Sequence, residues 1–404
     1  MIGIIIRMLA VALVLTVSDA GAHDSATYGG LFRSRDLGRT WLNADAGLFL
    51  SAALSVAVDP LDRAHLLMGT DFGLMESRNG GQSWMPEAPS LIGGAVFSVI
   101  FEKDGRSAVC VTPTGVFRLQ DGNWKRSETP DGAVPGRTLA TGAGAGRLYL
   151  LGRSRLFRSE DGGRSFDSVT GAPHGRGPMT GVAVAAATAE QTAETLYAVI
   201  DGRIMASADG GDSWEARGTG LGPEPVDTLA PDLTVPGRIW AAQAGRIHVS
   251  DDAGSGWRSV GKPLPPETTV RGIAADPAGR SLTVSTHRGL YRSENGGDDW
   301  TPREGVLPFH LEAGPLFRVP HDPSTLYAVF SRTPYPDIWR AAVDAAETAP
   351  RSGSITLKGG LIFGLSLLAI VAVLLTRFTL TRRAARRSPS ATLAGPLPPR
   401  VPSC

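Results

Sequence analysis

The chain has little with which to staple itself. Its 404 residues hold two cysteines, Cys110 and Cys404, which is too few for a disulfide framework. The topology reached below puts them on opposite sides of a membrane, where they cannot pair. Cys110, inside the apolar run Ala108-Val109-Cys110-Val111, reads as a buried strand residue. Histidines are also scarce. His23, His65, His174, His248, His287, His310 and His321 are scattered without metal-site spacing, so no zinc centre is expected. Asp251-Asp252 lacks the remaining ligands of a calcium loop, and the glycines between Gly142 and Gly146 follow no phosphate-loop pattern. No metal and no cofactor are expected.

Basic charge is missing from the body of the chain. Of 40 Lys and Arg, Arg7 precedes the body and eight lie beyond Pro350, whereas of 39 Asp and Glu only Asp19 precedes it and none lies beyond Pro350. The stretch between is therefore acidic by about seven charges, which gives no reason to expect a nucleic-acid partner. Gly at 50 and Pro at 29 recur in turn-like clusters, the composition of many short strands.

Long apolar runs are confined to the two ends. Residues 1–22 combine Arg7, an apolar stretch from Met8 to Val17 and the small-residue exit Ala20-Gly21-Ala22, the pattern of a cleaved signal peptide. Residues 359–376 carry no charge and are followed by Arg377, Arg382, Arg383, Arg386 and Arg387. That reads as one transmembrane helix with its basic flank in the cytoplasm. The expected organisation is a signal peptide (1–22), an exported body (23–343), a linker (344–358), a span (359–376) and a cytoplasmic tail (377–404) that is basic, then rich in Pro and Ser. The body is then periplasmic or extracellular, on a single-pass membrane protein.

One pattern returns through the body. Ser34-x-Asp36-x-Gly38-x-Thr40-Trp41 and Ser207-x-Asp209-x-Gly211-x-Ser213-Trp214 are its clearest copies. The same frame holds Asn79 with Trp84, Asp161 with Phe166, Asp252 with Trp257 and Asn295 with Trp300, and a shortened copy ends at Trp124. The closing aromatics are spaced by 40 to 48 residues, the length of one four-stranded blade. The Asp or Asn folds back onto backbone N–H groups, the glycine supplies positive φ, and the aromatic buries a large surface against its own or the next blade. The body starts with two strands, near Leu31 and Trp41, and ends with two, Leu316 to Val319 and Thr325 to Phe330. Joined, they make a mixed blade that clasps a ring. The expected fold is an all-β, seven-bladed β-propeller; Ile338-Trp339-Arg340 reads as a further strand and leaves an eighth blade open.

These residues resemble the Asp-box (BNR) repeat of sialidases, sortilin-type receptors and the photosystem II assembly-factor propellers. The resemblance implies that the box lies at a hairpin away from the ligand face, so the repeated residues are structural. A sialidase-type glycoside hydrolase would need an arginine triad, a Tyr–Glu pair and an acid/base. The Phe317-Arg318-Val319-Pro320 segment falls at the last blade, the wrong place for that family's signature, and Tyr149, Tyr197, Tyr291 and Tyr327 occupy strand positions, with no free Tyr–Glu pair in view. No catalytic residue is assigned. Arg33, Arg118, Arg158 and Arg292 recur one strand position before the box or its counterpart. If they share a face they form a cationic patch for acidic protein segments, and the assembly-factor resemblance implies an arginine-bearing binding face. The bland alternative is arginines paired with neighbouring carboxylates. The expected function is a membrane-anchored propeller that binds protein or glycan partners and assists assembly, with sialidase-type hydrolysis as the alternative.

Overall fold

A computed structural model describes residues 28–171, 177–185, 194–308, 310–319 and 322–348. The expected signal peptide, span and tail lie outside the described residues, among which no helix is long and apolar enough to cross a membrane. The body forms seven four-stranded antiparallel sheets. Their inner strands are Ala53–Val58, Ser98–Phe101, Thr138–Thr141, Met179–Ala185, Val226–Pro231, Val270–Ala275 and Glu312–Val319. Each touches the next, and the last touches the first, so the sheets stand as blades of a closed ring. Blades 1 to 7 are numbered here in that order.

Blade 7 is the clasp. Its inner strands, Glu312–Val319 and Asp322–Ser331, come from the end of the body, and its outer strands, Gly30–Ser34 and Leu42–Asn43, come from the start. The two parts meet in a five-pair antiparallel ladder from Gly30↔Phe330 to Ser34↔Leu326.

Stacking buries the middle of each blade on both faces. Second strands such as Leu66–Thr70, Ala108–Val111, Leu148–Leu151 and Leu282–Thr286 are buried throughout; Ala108–Val111 and Leu148–Leu151 accordingly read as unbroken apolar runs, whereas Leu282–Thr286 buries Thr283, Ser285 and Thr286 as well. Cys110 lies in one of them, fully buried, and burial pushes its thiol pKa up. Outer strands are short and exposed, as in Leu42–Asn43 and Met85–Glu87, which limits edge pairing. The core is therefore divided among seven clusters, one at each blade interface. The aromatic that closes each repeat sits in the interface with the preceding blade. Trp84 of blade 1 packs with Leu31 and Val329 of blade 7, Trp257 of blade 5 with Tyr197 of blade 4, and Phe166 of blade 3 with Val109 of blade 2. The expected direction, own or next blade, is corrected to this one.

The repeated turn is one hydrogen-bonded unit. In blade 7, the Ser34 hydroxyl donates to Asp36 (2.7 Å) and accepts from the Gly38 N–H (2.8 Å), while the Thr40 N–H and hydroxyl donate to the two Asp36 oxygens (2.8 and 2.6 Å). Leu37 and Gly38 both have positive φ, 57° and 83°. The costly left-handed state at Leu37 is held by its N–H, which donates to Ser324 O, and by its carbonyl, which accepts from Thr283 Oγ1 at 2.6 Å. Asp161, Asp209 and Asp252 make the same turn. Asn79 and Asn295 make it without charge, and Asn295 Nδ2 donates to Asp299 Oδ2 at 2.9 Å, a position where a second carboxylate would repel. The shortened copy is a two-residue hairpin, Asp121-Gly122, with both φ values positive (51° and 73°), the pattern of a type I′ turn.

Two expectations near the end of the body are corrected. Ile338-Trp339-Arg340 is not a strand of an eighth blade but part of a helix, Tyr335–Thr348, which also runs through the boundary placed at 343/344. Pro336 sits in the first turn with Asp337, Ala341, Ala342, Ala345 and Ala346 follow, and the Asp337 and Ile338 N–H groups donate to Pro334 O. A proline in the first turn, an early acid and an alanine-rich body all favour helix.

The carboxylates of the repeated turns are expected to make stability fall in acid. The Ser207 hydroxyl and its neighbours hold Asp209 below the usual carboxylate range, as Ser250 and the Gly256 N–H hold Asp252. Burial works against Asp36 and Asp161, but hydrogen bonds from Thr40 and Ser165 outweigh it. A depressed folded pKa contributes stability above the unfolded value, near 3.8, and loses it as pH falls further. Urea midpoints measured from pH 6 to pH 2 are expected to drop below about pH 4. A variant with Asn at 36, 161, 209 and 252 is expected to show a shallower drop; an unchanged slope would contradict this role.

Candidate binding face

Chain direction gives the ring two unlike ends. Third strands run parallel to the inner strands, so the repeated turns that follow them gather at the end opposite the one where inner strands begin. The first end is called the turn face and the second the entry face.

On the turn face the four arginines are placed as follows. Arg292 is 4 % exposed, and its Nη1 donates to Leu37 O in the turn of blade 7 and to Thr283 Oγ1 (3.2 Å). Arg33 Nη1 donates to Gly80 O of blade 1 (3.1 Å) and Arg158 Nη1 to Gly210 O of blade 4 (2.9 Å). The acceptor each time is the carbonyl just before the box glycine of the next blade. Tyr197 replaces arginine at the next interface, its hydroxyl donating to Ala253 O at 3.1 Å. Arg118 differs and bonds Gln120 on its own strand. Arg158 and Arg292 also pair with Glu160 and Glu294. Three of the four are thus interblade latches, with carboxylate pairing as a second contact. The sequence repeats the donor but hides the acceptor, a backbone carbonyl about one blade further along.

A Tyr–Glu pair that the sequence reading did not find is present between blades 3 and 4. Tyr149 Oη donates to Glu194 Oε1 at 2.6 Å; Glu194 also accepts from Arg147 Nη1 (3.0 Å) and the Ala143 N–H. Burial, then the bond to Glu194, raises the Tyr149 pKa, which keeps the phenol protonated, the reverse of an activated nucleophile. Arg318 lies on the inner strand of blade 7, bonded to Ala275 O at 3.4 Å and facing the charge of Asp232. His65, 5 % exposed, is gripped on both ring nitrogens by Asp59 (2.9 Å) and Glu76 (3.0 Å).

The entry face is built differently. Around blade 1 it presents Phe49, Phe72 and Leu91, which are 69 %, 54 % and 39 % exposed. They stand on the loop entering the blade, on its second hairpin turn and on the loop leaving it. Between blades 6 and 7 lies an open cavity of about 430 Å³ lined by Pro265, Arg288, Tyr291, Pro302, Arg303 and Pro308. The helix Tyr335–Thr348 lies against the beginnings of the inner strands. Tyr335, Ile338, Trp339 and Ala342 pack on Ala52, Leu54, Ala95 and Phe97. Phe49, Phe72 and Leu91 thus share the end that the latches leave alone, while the turn face carries exposed Leu61 and Leu233 and an open cavity of about 510 Å³ between blades 3 and 4.

Compared by sequence, the chain matches no family profile, and no curated protein matches it significantly. Compared by structure, it is similar to YCF48 bound to D1 peptide, with 20 % identity, a TM-score of 0.52 and coverage of 70 % of this chain and 94 % of that one. It is also similar to YCF48 from Cyanidioschyzon merolae (15 % identity, TM-score 0.54, 69 % and 95 % covered). A third likeness is to the extracellular domain of the hybrid two component system protein BT4673 from B. thetaiotaomicron (13 %, TM-score 0.54), where the match covers 75 % of this chain and 40 % of that one. At identities this low the structural likeness shows the propeller fold alone.

The latches make a sharp contrast between arginines. Arg292→Ala removes a buried guanidinium and leaves Leu37 O without that donor, and is expected to cost about 2 to 4 kcal/mol. Arg118→Ala, which cuts a contact within one strand, is expected to cost less than about 1 kcal/mol. Denaturant melts of the two single variants check this, and equal losses would contradict the latch.

Proposed function

We propose that the protein is an extracytoplasmic propeller, tethered to the membrane by residues 359–376, that binds protein partners through its entry face and assists assembly of a membrane complex. The observation that carries the reading is the exposed rim of Phe49, Phe72 and Leu91 on the face away from the repeated turns. Large exposed apolar residues grouped on one end mark an interaction site better than isolated ones do. A fold-level likeness to a propeller solved with a peptide bound is in keeping with this, as is the Asp-box resemblance, which assigns ligands to the face away from the boxes. The anchor rests on the uncharged run 359–376 and the arginines that follow it. Its polarity puts the propeller outside and the tail in the cytoplasm.

The test is a pull-down from solubilised membranes using the intact protein. Phe49→Asp, Phe72→Asp and Leu91→Asp together are expected to abolish retention of specific protein partners, while the turn-face pair Leu61→Asp and Leu233→Asp, equally exposed, is expected to leave it unchanged. Loss with both sets, or with neither, would overturn the entry-face reading. An alkaline wash is expected to leave the protein in the membrane fraction, and release would remove the anchor from the proposal. A fluorogenic sialoside assayed on the same preparations is expected to show no turnover; turnover that survives purification would overturn the binding function.

A further inference from the structure

The helix Tyr335–Thr348 is seated on the ring but is not needed to close it. Closure is complete in the ladder between Gly30–Ser34 and Asp322–Ser331, which ends before the helix begins. All seven interface clusters form without a helix residue; the helix has a separate small cluster of its own. Only Val343 of its 14 residues is buried, and a helix of this length is marginal in isolation, so its order comes from its seat.

The seat has a definite chemistry. Phe97 meets the rings of Tyr335 and Trp339 edge to face, with centroids 5.8 and 4.9 Å away. The Arg137 guanidinium lies over both rings, at 5.8 and 5.6 Å. At the start of the helix the Tyr335 N–H donates to Glu312 Oε2 (3.1 Å), and Glu312 is held by Arg271 at 2.8 Å. At the other end, about 18 Å along the axis, Arg153 pairs with Glu347. The seat thus reads an aromatic residue, a second aromatic four residues on, and a carboxylate two turns beyond that.

We propose that this seat is a docking site for an amphipathic helical segment of a protein partner with that pattern, and that Tyr335–Thr348 is its intramolecular occupant, displaced when the partner binds. The proposal rests on the reading of the entry face as a protein-binding surface and names the chemistry of the partner. The chain's own helix supplies the argument for the occupant, since it is the one segment seen in the seat and fits it on one apolar face, the mode of helix-in-groove recognition. Because the tethered helix competes at a high effective concentration, it weakens binding of any segment in trans until its own contacts are reduced.

The experiment uses the intact protein and a labelled synthetic peptide with the sequence of residues 333–348, followed by fluorescence anisotropy. Wild type is expected to bind it weakly. Trp339→Ala is expected to bind it at least about tenfold more tightly, and adding Arg137→Glu to that variant is expected to abolish binding. Glu347→Lys, an exposed change that leaves the apolar seat untouched, guards against misfolding of the first variant and is expected to tighten binding a few-fold. Cooperative melting of each variant confirms that the ring is intact. If folded Trp339→Ala and Glu347→Lys bind no more tightly than wild type, the helix is a fixed cap and the proposal fails. Binding that persists with Arg137→Glu overturns it equally, as nonspecific. Neither failure touches the partner retention through Phe49, Phe72 and Leu91, which tests the parent reading separately.

Discussion

Everything in this molecule depends on closing the ring. A row of stacked blades has an interface on both sides of every blade except the first and last, and those two would leave their apolar faces open. Pairing Gly30–Ser34 with Asp322–Ser331 makes the seventh interface, so all seven core clusters exist only when the two ends of the body meet. No single centre could replace them, because the burial is divided evenly between blades. The cost is a contact between residues almost 300 apart in sequence, the kind of long-range pairing that folds slowly. Short, exposed outer strands limit edge-to-edge association while it forms.

Within that ring the repeated turn acts in two directions. Its aromatic reaches back into the preceding interface, as Trp84 does toward Leu31, while its backbone carbonyl receives a side chain from the preceding blade, as Gly80 does from Arg33. Both contacts cross the same interface, so the turns of blades 1, 4, 5 and 7 each join their own blade to one neighbour twice. The left-handed residues Leu37 and Ala253 are the costly points of this design, and at both the carbonyl is an acceptor for Arg292 or Tyr197.

The repeat spacing and the paired half-blades at the two ends were legible in the sequence, because an Asp or Asn, a glycine and an aromatic at fixed offsets have one physical reading. The helix was legible too, and was misread. Tyr335, Ile338, Trp339, Ala342 and Val343 recur at helical offsets, but a three-residue window around Ile338 shows only the apolar and aromatic types that favour strands. The arginine latches and the Tyr149–Glu194 pair were not legible. The partner lies about one repeat away for Arg33, Arg158 and Tyr149 and at the other end of the body for Arg292, and the latch acceptor is a main-chain carbonyl that carries no sequence signal.

The latches also bear on where binding can occur. An arginine that bridges two blades cannot leave its acceptor for a ligand without opening that interface, so Arg33, Arg158 and Arg292 are poor candidates for an adaptable surface. The same constraint does not act on the entry face. Its loops contribute Phe49, Phe72 and Leu91 to no ladder, and its helix is held by one face and two end contacts rather than by strand pairing. Hydrogen bonds at the turn face fix the geometry, while at the entry face Phe49, Phe72 and Leu91 stay exposed, Phe49 against the Tyr28 ring, on a ring that closes without them.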